Sequence, residues 1–551
     1  MMDCIFLNRQ PRFYVNEAKG KLMKIWTAVL LISWFLSVIS NAQDLTLQKW
    51  GVHDLPFKGS ERVSDPFTVT FGAWLRHESG VGIDVPGFYN DDRIWILRFS
   101  PSLDGIWSYH TYSSLPSLAG KTGKFRVSPN TKSDRHGAIV VSSENRQRFV
   151  YEDGTPYFPL AFEIDWLFAI DADNPRDIPN TRQIVKDLRD YHFNQVIMNV
   201  FAYDAGWGER EKIDPRYNFA KPSIFPFGGA NETPDHTTLN VNFFKQFDRV
   251  AAYLHSEEMA MHLMIYVWNK QVSWPKPGSP EDNRYFEYVV KRYQAFPNLI
   301  WDISKEALAY GMDDMNYIID RIDRLRRLDS HKRLVTVHDY TFCRHYPDKV
   351  DFVSIQEWRP NLYDEMRRVA ERHPDKPVFN VEHGGYEKTM HSIFNGAYTD
   401  ADVLLERTYL CYFAGAYSTY YWQNSSWYEL VYDPFSLAPE HQPHLNYYKI
   451  LMDFFSRYNY NDLVPIQFYY SPYCLTDEKN TFLYLLPRGT FALEGSAPPQ
   501  AQGNQVQVQW FNPLTGEYSD IEKRVLGDWT GFRKPASITS PFCLAVLDII
   551  E

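Results

Sequence analysis

Between about residues 157 and 422, short apolar runs alternate with amphipathic stretches, and this alternation constrains the fold more than any other property of the chain. The runs Tyr157–Phe162, Gln195–Val200, His262–Val267, Leu299–Ile303, Arg333–Val337, Phe352–Ile355, Val378–Val381 and Ser418–Trp422 are of strand length. Between them the sequences at Thr181–Tyr191, Val241–Glu258, Tyr285–Ala295, Met312–Leu328, Leu362–Arg372 and Asp400–Ala414 carry helical periodicity. Thr399 fits the N-cap of the last helix. Eight strands joined by helical crossovers predict an α/β fold, a (β/α)8 TIM barrel, in which strand carboxyl ends build the active site. No Gly-rich fingerprint follows the first strand, so dinucleotide binding is not expected. The connection after the fifth strand is short for a helical crossover.

Texture changes on both sides of this region. From about Leu45 to Val127 runs such as F-T-V-T-F-G-A-W-L and R-I-W-I-L-R-F-S alternate with turn signals, which predicts an antiparallel β-sandwich over 43–137. A hairpin turning at Asp153-Gly154 opens the barrel domain, 138–460, and strand-like runs return in a second sandwich, 461–551. At the start, Lys21 and Lys24 precede an apolar run, Ile25–Ile39, that ends in Ser40-Asn41-Ala42. This reads as a signal peptide over 1–42, with Met23 an alternative start, and predicts a secreted or periplasmic protein with no membrane span after cleavage. A retained anchor is the alternative.

A formal charge of −11 argues against a nucleic-acid partner, which needs a basic surface, but leaves room for an acidic sugar in a local basic pocket. Aromatic residues make up 16% of the chain; most of them belong to cores, but such rings also stack on sugar faces. Cys343, Cys411, Cys474 and Cys543 show no metal or redox spacing and read as buried thiols, with a Cys474 to Cys543 disulfide as the alternative. No H-E-x-x-H cluster is present, so neither a catalytic metal nor another cofactor is expected.

Two strand-like runs end in glutamate. P-N-L-I-W-D-I-S-K-E closes at Glu306 and K-P-V-F-N-V-E at Glu382, on strands four and seven, which lie nearly opposite around a barrel. Glycoside hydrolysis uses such a pair, about 5–5.5 Å apart in retaining enzymes and more than about 6.5 Å apart in inverting ones. The expected activity is therefore cleavage of a plant, algal or host glycan, with an oligo- or polysaccharide as partner. A non-catalytic carbohydrate-binding protein on a decayed barrel and a polysaccharide lyase are the competing classes. Asn199, Tyr203, Trp268, Asn269, His338, Gln356, Glu357, Trp358 and His383 also lie near strand ends, Glu357 being the main rival carboxylate. The loop Ala205–Thr238 is placed to shape the mouth.

The run ending at Glu306 resembles the strand-four motif of clan A glycosidases, P-N-V-I-W-x-x-x-N-E. More specifically, K-P-V-F-N-V-E-H-G-G-Y-E, L-C-Y-F-A-G-A-Y-S-T-Y-Y-W-Q and Y-F-P-L-A-F-E-I-D-W-L-F resemble strands seven, eight and one of the bacterial apiosidase-like barrels, which also carry the label collagen-binding collagenase. W-x-x-x-F-S-P-x-x-x-G-x-W resembles the domain of unknown function that often precedes them. This resemblance, over about 45–460, implies Glu306 as acid/base and Glu382 as nucleophile, with Asp165, Trp166 and Trp422 walling a sugar subsite. Asp165 equally fits an N-cap. Lys305 stands where clan A places Asn. If the strand ends at Ser304, Lys305 turns into the mouth towards a carboxylate or sulfate of the substrate; if the strand continues, it points into the helical layer.

Overall fold

The computed structural model describes residues 45–206, 213–311, 314–389, 398–423, 425, 429–468, 471–496 and 498–550; the expected leader lies outside them. The barrel strands are β1 (Ala161–Glu163), β2 (Gln195–Asn199), β3 (Ala260–Val267), β4 (Leu299–Lys305), β5 (Leu334–His338), β6 (Val353–Gln356), β7 (Val378–Glu382) and β8 (Tyr417–Tyr420). They form one parallel sheet in the order β5-β4-β3-β2-β1-β8-β7-β6. At the β5/β6 seam side chains bridge what the ladder leaves open: Thr336 Oγ1 donates to Phe352 O at 3.0 Å, and Asp351 accepts from Val335 N at 2.8 Å. The result is a nearly closed barrel.

Helices α1 (Pro179–Asp190), α2 (Val241–Ser256), α3 (Pro280–Tyr293), α4 (Met315–Leu328), α5 (Tyr340–His345), α6 (Leu362–Arg372), α7 (Ala401–Phe413) and α8 (Leu445–Phe455) surround it. The short crossover after β5 accommodates a helix of only six residues. Asn240, Ser279 and Asp314 cap α2, α3 and α4 through side-chain oxygens, satisfying first-turn N–H groups. For α7 the cap is Asp400 rather than Thr399, and it makes no side-chain cap bond. Among the described residues no helix is long and apolar enough to cross a membrane.

The barrel floor is plugged from outside. The hairpin Ile139–Val141, Phe149–Tyr151, Pro156–Tyr157 sends Phe149 between Phe352 and Tyr417, with centroids 5.4 and 5.2 Å away. Tyr157, read from the sequence as the start of strand one, belongs to this hairpin, and its hydroxyl donates to Gln195 of β2 at 2.8 Å. Above it, His262 and Asp302 meet at 3.1 Å. The barrel interior is thus filled with packed side chains at its amino-terminal end.

The amino-terminal sandwich pairs a five-stranded sheet (Thr46–Gln48, Thr122–Ser128, Gly105–Ser113, Phe71–His77, Gly82–Pro86) with a three-stranded one (His53–Lys58, Ile94–Phe99, Phe88–Tyr89) over a core including Trp95, Trp107 and Phe125. The smaller sheet seats on α2 and α3. Arg98 binds Asp54 at 2.7 Å, Asp248 at 3.1 Å and Arg292 O at 3.0 Å, while Arg292 also binds Asp248, at 2.6 Å. Burial opposes ionisation of Asp248, yet Arg292 and Arg98 hold it well below the usual carboxylate range. The carboxyl-terminal domain is a six-stranded antiparallel sheet with a two-stranded one beside it. The four cysteines among the described residues are buried free thiols, including Cys474 and Cys543 on the strands flanking Thr481–Leu486.

Removing Arg98 breaks its bonds to Asp248, which keeps Arg292, and to the partly exposed Asp54, so Arg98→Ala is expected to cost about 2–3 kcal/mol of stability. Urea unfolding measures it, and a loss below about 1 kcal/mol would refute the anchoring role.

Candidate active site

The upper end of β4 departs from regular alternation. Opposite β5, Asp302 pairs with Thr336 and Lys305 with His338, so three steps on β4 span two on β5. This bulge turns Lys305 inward, where strict alternation after the inward Asp302 sends it outward. Glu306 follows with φ of 56°, a left-handed conformation unusual for a residue with a side chain. Its N–H donates to His338 O at 3.3 Å and its carbonyl accepts from Tyr310 N at 3.2 Å.

Lys305 is therefore neither on the substrate side nor in the helical layer, the two placements alternation offered. Its ammonium is 1% exposed and sits among carboxylates of β1 and β7. It reaches Glu163 at 2.5 Å, Glu382 at 3.7 Å and Asp165 at 3.8 Å. Lys270, just after β3, binds Asp165 at 3.2 Å. The surrounding carboxylates hold Lys305 charged, well above the ordinary lysine range, against the opposing effect of burial.

Glu382, at the end of β7, is 3% exposed. Tyr386 donates to it at 3.1 Å, and His338 Nε2 lies 3.9 Å away. Burial and Lys305 keep that histidine neutral. Glu306 is half-buried at the rim, where Asn269 Nδ2 donates to its carboxylate at 2.7 Å. Four carboxylates, Glu163, Asp165, Glu306 and Glu382, thus face two ammoniums. Burial and this excess push Glu382 up to about 7, against the pull of Lys305, and hold Glu163 well above its usual range. Tyr421 donates its hydroxyl to Glu163 and to Val381 O, tying β1 to β7.

Not every candidate meets at this cluster. Asn199 is buried and donates to Asp165 O at 3.3 Å. Trp268 and Trp358 are half-buried, and Trp358 stacks edge-on with Tyr386 at 6.0 Å, so both border the mouth. Trp166 and Trp422, by contrast, are 0% and 2% exposed and offer no face to a sugar; they are packing residues. His383 is also excluded. Alternation sends it away from inward Glu382, its carbonyl accepts from Arg407, and burial beside that guanidinium pushes it down to about 3. Glu357, the rival carboxylate, is taken up by Arg359, at 2.8 Å; burial works to raise it, but these bonds bring it below its usual value. Asp165 caps no helix, since the short turn at Leu167–Ala169 has Trp166 as its N-cap. Tyr203 pairs with Glu232 instead.

Glu163, Lys270, Tyr310, Tyr386 and Tyr421 were not singled out from the sequence. Glu163 carried the same signal as the other two glutamates, a carboxylate closing a barrel strand. Tyr310 is 48% exposed and its N–H donates to Glu306 O, which keeps an open ring near Glu306; burial, with the charges of Glu306 and Glu382, raises its phenol.

The sequence profile of the apiosidase-like catalytic domain matches residues 143–434, more than half of the chain. The chain belongs to the apiosidase-like family. A second profile, a domain of unknown function, matches residues 46–114. A crystal structure from Bacteroides vulgatus ATCC 8482, provisionally named a glycoside hydrolase, superposes with a TM-score of 0.72 at 18% identity, over 92% of this chain and all of the other. A family 5 glycoside hydrolase from the same organism gives 0.53 at 16% identity, over 75% of this chain and 94% of its own. Another structure, named glycoside hydrolase, gives 0.54 at 15% identity, over 75% and 97%. No curated protein sequence matches the chain. The fold of this apiosidase-like protein is that of glycoside hydrolases.

A carboxyl group whose folded pKa lies above its unfolded value stabilises fully below the unfolded value and loses that contribution as pH rises through the folded one. For Glu382 the window runs from about 4.5 to about 7. Glu382→Gln lacks this titration, so the native protein is expected to lose up to roughly 3 kcal/mol relative to the variant across that window. Parallel Tm profiles for the two proteins would refute the raised value.

Proposed function

We propose that the barrel hydrolyses a glycosidic bond of an oligo- or polysaccharide with retention of configuration, Glu382 acting as nucleophile and Glu306 as acid/base. The observation that carries this reading is the pairing of two differently held glutamates at one barrel mouth. Glu382 is fixed by Tyr386 and faces Lys305, an environment that orients an attacking carboxylate and balances its charge. Glu306 is half-buried at the rim, and the bond from Asn269 Nδ2 orients its carboxyl group at the mouth, where a leaving oxygen would lie.

In the first step Glu306 protonates the glycosidic oxygen as Glu382 attacks the anomeric carbon, and the C–O bond breaks to give a glycosyl ester. In the second Glu306 takes a proton from water, whose oxygen displaces Glu382. Tyr310, Trp268 and Trp358 supply the ring faces on which the sugar is held. Sequence positions 25–42 support export, so the proposed site of action is outside the cytoplasm.

Glu306→Gln and Glu382→Gln should each fold and lose roughly 10²- to 10⁴-fold in kcat, with the first-formed product keeping its anomeric configuration by proton NMR. Near-native turnover in either variant, or an inverted product, would defeat the assignment. Since Glu382 must be ionised to attack, kcat/KM should fall as pH drops below about 7. Lys305→Met removes the cation that lowers Glu382, so this limb should move to higher pH; a limb that stays in place would rule out Lys305 as a positioning residue.

A further inference from the structure

The five-stranded sheet of the amino-terminal sandwich turns one face outward: the smaller sheet makes the Arg98 contact, and the larger one meets the barrel domain at its edge, where Ser330 donates to Asp84 O. Alternation along its strands sends Ala73, Leu75, Trp107 and Phe125 into the core and their neighbours outward. Such a face needs only polar residues to stay soluble. Instead its middle holds Trp74, 53% exposed and directly opposite His110.

Tyr112 lies beside Trp74 with centroids 4.7 Å apart at a tilt of 43°. Its hydroxyl donates to Asp84 at 2.8 Å, which fixes the ring. Gly72 makes the arrangement feasible: a Cβ there would lie 2.4 Å from the Tyr112 hydroxyl oxygen. The two rings therefore form a braced platform facing solvent. Sugars bury their C–H faces on such rings while their hydroxyls remain hydrogen-bonded at the edges.

Charge narrows the ligand further. Arg76 follows Trp74 on the same face, and across Ser108 stands Lys124, about 10 Å away at two strand spacings. Arg126 extends the row. All three are exposed, and among the described residues none forms an ion pair. Asp84, the one acid within the five strands, is engaged by Tyr112, and Glu78, just beyond Arg76, accepts from Ile106 N. A chain with a formal charge of −11 thus presents a cationic strip beside an aromatic platform.

We propose that this face binds an acidic polysaccharide, with sugar rings on Trp74 and Tyr112 and carboxylate or sulfate groups on Arg76, Lys124 and Arg126. The binding does not depend on the reaction proposed for the barrel. It is tested on the full chain carrying Glu382→Gln, so that turnover cannot consume the probe. Affinity electrophoresis would compare polygalacturonate with its fully methyl-esterified form, and dextran sulfate with dextran. Retention by polygalacturonate identifies a carboxylated ligand and retention by dextran sulfate a sulfated one, while both neutral partners should retain at least tenfold less.

Adding Trp74→Ala, or Arg76→Gln together with Lys124→Gln, should each weaken binding about tenfold without changing Tm, and the charge variant should also flatten the salt dependence. Binding that survives Trp74→Ala would mean bare ion exchange. Equal retention by the neutral polymers would mean a neutral-glycan or cleft site. Either result, or no retention by any probe, overturns the proposal.

Discussion

An ammonium cannot be enclosed in a barrel without partners, because removing it from water costs several kcal/mol that only closely placed opposite charge recovers. Lys305 is enclosed in this way, and its position dictates much of the mouth. It requires Glu163 of β1 and Glu382 of β7 to face inward at the same height, so three strand ends are held in register by one side chain. Asp165 belongs to the same group and draws in Lys270 from beyond β3. Because the cluster is buried and carboxylates outnumber ammoniums, Glu163 and Glu382 are both raised above the ordinary carboxylate range.

Strain at Glu306 belongs to the same construction. The bulge that turns Lys305 inward uses up the regular continuation of β4, and the next residue leaves the strand with a left-handed backbone. A side chain on a strand continued straight would project along the barrel wall. From the left-handed position, with its N–H tied to His338 O, Glu306 stands at the rim within reach of Asn269. One displaced register step therefore makes one glutamate deep and braced and the other shallow and half-buried, an asymmetry that two-carboxylate chemistry uses.

The barrel itself was legible because strand length, apolar content and helical periodicity are local properties, and α6 begins and ends where the pattern places it. Glu306 and Glu382 were legible for a related reason: a carboxylate ending a buried run is costly unless it has work to do. Lys305 was not, since its direction depends on a count of residues against β5 that no single segment contains. His383 is a different kind of miss; parity with Glu382 alone sends it outward. Trp166 and Trp422 show why rings near strand ends are weak guides, as packing and sugar stacking select the same residue type. Tyr310 sits in a connection with no periodicity, and only the fold brings it beside the glutamates.

The two ends of the molecule carry opposite local charge, and this limits what a common ligand can be. At the barrel mouth the excess of carboxylates disfavours a sugar bearing its own carboxylate or sulfate at the bond to be cut, because like charges in a poorly solvated site repel strongly. On the outer sandwich face Arg76, Lys124 and Arg126 favour that same group. Cationic residues on a solvated sheet act over about 8–10 Å at ordinary ionic strength, so their attraction does not reach into the barrel. On the two proposals together, a ligand shared by both surfaces carries its acidic groups away from the carboxylates of the barrel mouth.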